Sequence, residues 1–484
     1  MYPHDYCFYA GCAFLVGVAV ALLGIPPLFI TCFSLLFAFG CFVHSYMTSD
    51  VWMRGFGICI FFTILGSWYV GIRYEQFMSV KVPYGEHITF EGCISNEPKI
   101  TNASQEVKVS ISSPFYGDVR IRMRSSESVA YGDCFHGVGV VSRPPEMQVS
   151  YFLKERMYGT IQYPKLSLLE KRKEMFLGSL MISMRKTIMQ TFQSALSRDE
   201  AIFLAGLTIG AKGEFGDKLQ TAMKKSGTTH LVALSGYNIM IIISALMLGF
   251  VRFMKKRYAI IVTGFFVFLF CIFAGGESSL VRAAILGCIG MVAGEFGRKF
   301  DVRQAVVVAA VAMALINPFV LVFDVGFQLS FAAFLGIAYC SPALMELFHM
   351  KDEQKRIKNL FIDALSAQLA TLPIIAMQFG TISFVGIISG LILLELIPIT
   401  MGLGFIASFF SFISSSLALI PLLFARVFLV FELWIIKLFG TIPFFEWKMG
   451  PTIFILYYVL LVIFISIYLK RRYVRNRIFT NNKK

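Results

Sequence analysis

Polar side chains able to hold an anion within apolar surroundings fall in a few places along this chain. His230, Ser235 and Asn238 lie in the stretch from Ser226 to Met240, where a mixed, charged region gives way to almost unbroken apolar sequence. Arg282 stands early in a later apolar run, just after Gly275-Gly276, and Asp324 and Gln328 stand four apart at the start of another. Hydrocarbon offers no hydrogen bonds, so such groups must face protein or a water-filled path. Arg282 is expected to line such a path; the alternative is a guanidinium that snorkels outward or pairs with Glu277 or Glu295. His230 either contacts phosphate when protonated or caps a neighbouring helix. Gln328 can donate to a phosphate, a base or an adjacent helix. If one helix covers both, Asp324 and Gln328 share a face. A bare carboxylate would repel an anion, so Asp324 is expected to be structural, capping a helix or pairing with Arg282.

A second group is Arg120, Arg122 and Arg124, which alternate with Val119, Ile121 and Met123. Alternation puts the three arginines on one strand face, where an anionic partner relieves their repulsion. Nucleic acid, lipid headgroups and plain solvent are the readings of that face. Tyr116, Phe135 and Tyr151 are either stacking platforms or core. A Ser-His nucleophile is not expected. His230 precedes Ser235 by ~500° of helix rotation, and Ala233 stands where a rhomboid-type Gly-x-Ser-Gly has glycine. No Cys/His spacing suggests a metal site, no ATP-binding motif occurs, and no cofactor is expected.

The elements that must position these residues are mostly membrane helices. Of 484 residues, 57% are hydrophobic and only 15% charged, against roughly 25% charged in soluble chains. Apolar runs occur at 8–24 and 27–43, joined by Gly24-Ile25-Pro26-Pro27, and at 56–73. They recur at 231–251, 258–274, 281–296, 304–322, 326–340, 363–379, 384–397, 400–417 and 452–469, while 422–440, with Arg426, Glu432 and Lys437, reads as a helix lying near one face. From 81 to 165 the period becomes two, as in a small barrel or sandwich. Residues 166–228 read as helices that do not simply span, with Met175, Leu177, Leu180, Met181, Met184 and Ile188 forming an interfacial stripe.

The formal net charge is +15, and basic clusters at 252–257, 298–303, 351–358 and the C-terminal tail fall on one side of these spans. That side is the cytoplasm by the positive-inside rule, which puts 76–228 outside. No Lys or Arg precedes Arg54, so the first apolar run is expected to be retained. Of ten cysteines, Cys93 and Cys134 alone fall in the extracytoplasmic β region. A disulfide between them would close a loop of ~40 residues, worth roughly 2–4 kcal/mol; the alternative is two buried thiols.

Four motifs then resemble, in order, those of the ComEC competence proteins. They are Ser226-Gly227-Thr228-Thr229-His230-Leu231-Val232-Ala233-Leu234-Ser235-Gly236, preceded by Phe203–Gly210; Gly275–Ala283 with Arg282-Ala283; Asp324-Val325-Gly326-Phe327-Gln328-Leu329-Ser330-Phe331 after Asn317-Pro318; and Gln368–Pro373 with Phe379-Gly380. The resemblance implies a polytopic α-helical membrane protein of about 11–13 segments, with an extracytoplasmic OB-like β domain inserted after the third span. It implies a domain order of 1–75 N-terminal membrane helices, 76–165 OB-like domain, 166–228 amphipathic helices, 229–470 channel domain and 471–484 basic cytoplasmic tail. The implied function is a channel, not an enzyme, that imports single-stranded DNA across the bacterial cytoplasmic membrane during natural transformation. Implied partners are an extracytoplasmic DNA receptor, a cytoplasmic helicase-like ATPase, a separate nuclease and membrane lipid. Tyr237-Asn238 departs from the family's usual Leu-His, so that position cannot titrate near neutral pH. Ser278 stands where the family commonly has proline. No His-x-His-x-Asp-His run of the metallo-β-lactamase-like domain carried by many members occurs in the sequence. The competing reading is a transporter or flippase for another anion, such as a polyprenyl phosphate.

Overall fold

Two glycines decide how the chain begins. Helices Pro3–Leu22 and Met53–Met78 approach so closely that a Cβ on Gly17 would collide with the Thr63 carbonyl, and one on Gly66 with the Phe14 carbonyl. Position 14 meets 66 and 17 meets 63, so the pair is antiparallel, packed backbone to backbone as small residues allow in membranes. Gly24 takes a positive φ in the turn after the first helix, and residues 27–34 are helical again. The computed structural model describes residues 3–34, 53–96, 98–100, 104–124, 129, 132–145, 148–168, 176–211, 213, 215–229, 236–295, 301–348, 356–382, 385–442, 445–446 and 449–481. Residues 35–43 of the run at 27–43 therefore lie outside the described residues.

Contacts divide the chain into two compact units, Met1–Lys186 with Arg303–Asp324, and Thr187–Val302 with Val325–Lys484. In the first, the alternating region forms strands β1 (His87–Ile94), β2 (Lys99–Ile100), β3 (Ser104–Ser113), β4 (Gly117–Arg124), β5 (Cys134–Ser142), β6 (Met157–Gln162) and β7 (Lys165–Leu168). The order β1-β3-β4-β6-β5 closes on itself through β1–β5. All pairings in this ring are antiparallel except β4–β6. Such a five-stranded ring fits an OB-like barrel. Its core is the inward half of each alternation: Phe90, Val107, Val109, Val119, Ile121, Phe135, Val141 and Ile161. Cys93 faces Cys134 across β1–β5 and is bonded to it.

Two boundaries differ from the sequence reading. Helix Val149–Glu155 interrupts the strands, and β7 continues to Leu168. The helix forms because Tyr151, Phe152 and Leu153 occur together, giving no period-two pattern for a strand to use. It ends on Arg156 in the left-handed region. The barrel is tied to the end of helix Val302–Ile316, to the residue after it and to helix Met53–Met78. Asn317 Nδ2 donates to the Lys154 carbonyl at 2.9 Å, Arg156 donates to the Ile316 carbonyl, and Phe77 stacks on Tyr158.

The second unit is helical. Helix Arg198–Ile209 opens with a Ser197/Glu200 capping box and is buried from Glu200 to Ile209, so this part of 166–228 is core and not an interfacial surface. Around it pack helices Gly386–Ser411 and Ser415–Phe439. This corrects the expected spans. The runs 384–397 and 400–417 are one helix through Pro398, and 422–440 belongs to the next, long and apolar enough to cross a membrane. Its charges are accommodated: Glu432 is buried against Thr400, and Arg426 reaches Glu200. Two such helices still separate 382 from 445, so the number of crossings expected there is unchanged. Helices Gly236–Val251, Lys256–Phe273 and Ser278–Glu295 share a second core. Helix Arg356–Phe379 contains Pro373, which has no N–H for the Leu369 carbonyl one turn back. Tyr457 of helix Pro451–Asn481 donates to that carbonyl at 2.9 Å.

Among the described residues eight helices are long and apolar enough to cross a membrane, and Tyr6–Leu22, Gly236–Val251 and Arg303–Ile316 are shorter apolar helices. The chain is a polytopic membrane protein. Gly66→Val is expected to destabilise it by about 1–3 kcal/mol, whereas Gly57→Val on the same helix, where a Cβ meets nothing within 4 Å, should be near neutral. Thermal loss of monodisperse protein in detergent checks this.

Candidate functional site

Ser226, Gly227 and Thr228 are fixed by small polar contacts. Ser226 Oγ and Thr228 Oγ1 are 2.8 Å apart, and Ser389 Oγ of helix Gly386–Ser411 donates to the Ser226 carbonyl at 2.9 Å. All three hydroxyl side chains are fully buried. Gly227 has φ +69°, and a Cβ on Gly386 would lie 3.3 Å from its Cα. The first part of this stretch is therefore locked to a long helix. His230 and Ser235 lie outside the described residues. Asn238 follows, buried in the first turn of helix Gly236–Val251.

Arg282 is buried on helix Ser278–Glu295. Its guanidinium carbon lies 5.4 Å from the Phe331 ring centroid, a cation–π contact. A Cβ on Gly236 would stand 3.6 Å from Nη2, so glycine there leaves the guanidinium room. Nη1 is buried and has no hydrogen-bond partner among the described residues. Of the two carboxylates named in the alternative reading of this arginine, Glu295 binds Lys256 at 3.5 Å. Gln328 is half-buried three residues before Phe331, on helix Val325–Leu335. The structure thus brings Arg282, Phe331 and the start of helix Gly236–Val251 together. A buried cation with an unfilled donor beside the positive end of a helix is chemically an acceptor site for an oxyanion.

Asp324 has a partner within the first unit. The helix begins at Val325 and Asp324 is extended, so Asp324 and Gln328 do not share a helical face. Asp324 Oδ2 instead lies 3.2 Å from Lys154 Nζ of the barrel's helix. That partner was not legible in the sequence, because it is far away in the chain and inside a region read as strands. Phe331 had a signal, its place in the Phe-Gln-Leu-Ser-Phe run, yet only the fold shows that it carries Arg282.

The three barrel arginines divide. Arg120 Nη2 donates to Gln148 Oε1 at 2.7 Å, and its guanidinium carbon lies 4.6 Å from the Phe152 centroid and 6.0 Å from that of Tyr151. It pins helix Val149–Glu155 to the sheet. Lys108 assists, binding Asp118 and the Glu155 carbonyl, each at 2.9 Å. Arg122 and Arg124 remain exposed beyond that helix; Arg122 Nε donates to Ser104 Oγ at 3.1 Å. Tyr163, exposed just after β6, donates its N–H to the Arg122 carbonyl at 2.7 Å. The open basic edge is thus Arg122, Arg124 and Tyr163. Phe135 is core, Tyr116 is exposed and Tyr151 lies against Arg120. Among the described residues no His/Cys/Asp/Glu group could hold a metal ion.

The family model described as Competence protein matches residues 207–472, more than half of the chain and all of the Arg282 neighbourhood. Over 207 residues the chain is 28% identical to the ComE operon protein 3 of Bacillus subtilis (strain 168). That stretch covers 43% of this chain and 26% of the relative, so the similarity spans about a quarter of the relative's length. No solved structure matches. The extent of the family match, over the region that holds the buried arginine and its aromatic partner, establishes that the chain belongs to the ComEC family of competence proteins.

Proposed function

We propose that this protein conducts single-stranded DNA across the bacterial cytoplasmic membrane during natural transformation. The observation that carries the reading is Arg282, a buried guanidinium in the family-matched helical unit whose Nη1 has no partner among the described residues. A strand crossing a membrane brings one phosphate charge per nucleotide. It needs donors that hold each phosphate weakly enough to release it. Arg282 under Phe331 meets that need, because the aromatic face offsets part of the burial cost without occupying the N–H groups.

The OB-like barrel receives DNA on the extracytoplasmic side in this reading, through the basic edge at Arg122 and Arg124 with Tyr163 as a stacking surface. That edge favours a polynucleotide over the competing small-anion or polyprenyl-phosphate cargo, which has no use for a basic, aromatic barrel. The basic clusters at 252–257, 298–303 and 351–358 and in the tail support a cytoplasmic C-terminus. A surface DNA receptor, a cytoplasmic helicase-like ATPase and a separate nuclease complete the proposed system. His230, Ser235, Asn238 and Gln328 are proposed to line the same path.

Transformation assays test the path. Arg282→Ala, inserted at wild-type level, is expected to lower uptake of labelled DNA into the cytoplasm at least about tenfold, as loss of about 1.4 kcal/mol implies. Uptake equal to wild type would sink the assignment. For the barrel edge, the full chain in detergent should bind single-stranded DNA with a salt dependence. The R122A/R124A variant should reduce its log–log slope by about 1.4, at ~0.7 per lost phosphate contact. An unchanged slope would remove nucleic acid from that face. Arg120→Ala should act differently, exposing the segment 148–156 to proteolysis because a pin has been removed.

A further inference from the structure

Glu432 is the buried acid that the DNA path does not use. It lies seven residues before the end of helix Ser415–Phe439, ~10 Å along the axis, and its exposure is 0%. Oε1 accepts a hydrogen bond from Thr400 Oγ1 of helix Gly386–Ser411 at 2.7 Å. Oε2 is buried with no hydrogen-bond partner among the described residues. Leu429, Leu433 and Ile436 on its own helix and Ile397 opposite belong to one apolar core.

No described cation lies at ion-pair distance. On the same helix, Arg426 is taken by Glu200 at 3.6 Å, and Lys437 is exposed. Of the charged groups on the elements packed against it, Glu395 of Gly386–Ser411 is exposed. On helix Arg198–Ile209, Arg198 is exposed and Asp199 accepts from the Gly216 N–H. On helix Asp217–Lys225, Asp217, Lys218 and Lys224 are exposed and Lys225 is half-buried. An ionised carboxylate with one donor in such a place is costly; a neutral acid is tolerated.

We propose that Glu432, with Thr400, is a proton-exchange site inside the helical unit. It is protonated in this packing and releases its proton when helices Gly386–Ser411 and Ser415–Phe439 part enough to hydrate Oε2. The acid O–H bond breaks, the proton passes to a water molecule, and that water and its neighbours solvate the carboxylate; rebinding reverses the step. Proton occupancy and the packing of the two helices are thereby linked, since each state of the acid favours one arrangement.

Infrared titration of the full chain in lipid vesicles from about pH 5 to about pH 9 tests this. The wild type should show a protonated-carboxyl C=O band that Glu432→Gln lacks. Thr400→Val, which removes the donor but keeps the acid, should move that band to higher frequency. As the pH rises the band should fall, together with hydrogen-exchange protection of residues 386–411 and 415–439. Absence of the band at every pH overturns the proposal. So does a band that no pH in the range removes, which would make Glu432 a permanently neutral clamp. If Glu432→Gln does not accumulate, the Thr400→Val shift and the wild-type titration decide the matter. None of these readouts uses DNA, and Arg282→Ala should keep the band, so this site and the proposed DNA path can fail separately.

Discussion

Hydrocarbon supplies no hydrogen-bond partners, so each polar group among these helices must find one on a neighbouring element. Much of the helical unit's specificity follows from that constraint. Ser389 reaches the carbonyl of Ser226, Ser341 binds Asp363 at 2.6 Å, and Tyr457 takes the carbonyl that Pro373 leaves unbonded. Each contact fixes one helix against another where apolar side chains alone would tolerate sliding. The constraint also makes exceptions informative. Arg282 Nη1 and Glu432 Oε2 are buried and have no hydrogen-bond partner among the described residues. They are opposite in charge type, yet they occupy different cores and do not pair. One is a donor suited to an oxyanion; the other is an acid whose cheapest state is neutral.

The first unit meets the same constraint from the water side. A β barrel satisfies its own backbone by closing, and β1–β5 pairing achieves this. What remains is how the barrel is held to the helices it follows. The contacts gather in two places: the stretch Ile316 to Asp324, which meets Lys154 and Arg156, and Phe77 of helix Met53–Met78, which stacks on Tyr158 and also touches Phe319. Helix Val149–Glu155 is therefore a bracket. Arg120 and Lys108 hold its inner side to the sheet, while Lys154 binds Asp324. This is why the three arginines, equivalent by alternation, are not equivalent in role.

The sequence made the membrane class, the β insert and the ComEC resemblance legible, because hydropathy and period two are local signals and the motifs are contiguous. Arg282 was legible as well, since an arginine in an apolar run stands out whatever the fold. Less legible was anything that depended on partners. Glu432 read as a mark of an interfacial helix, because a carboxylate among leucines looks exposed until Thr400 is placed opposite it. The runs 384–397 and 400–417 look separate in the sequence, yet Gly386–Ser411 continues through Pro398 between them. Arg120 read as a third binding arginine, because helix Val149–Glu155 does not announce itself in a region of alternating residues.

In the run from Asp324 to Phe331, contiguous motif residues take separate partners. As sequence it looks like one helix start with one polar face. In the structure it crosses the boundary between the two compact units: Asp324 ends the first and Val325 begins the second. Asp324 is extended and answers to Lys154 of the barrel's bracket, while Phe331 underlies Arg282. Contiguity in the chain therefore does not mean a single role. The acid anchors the barrel's attachment, and the aromatic holds the buried cation.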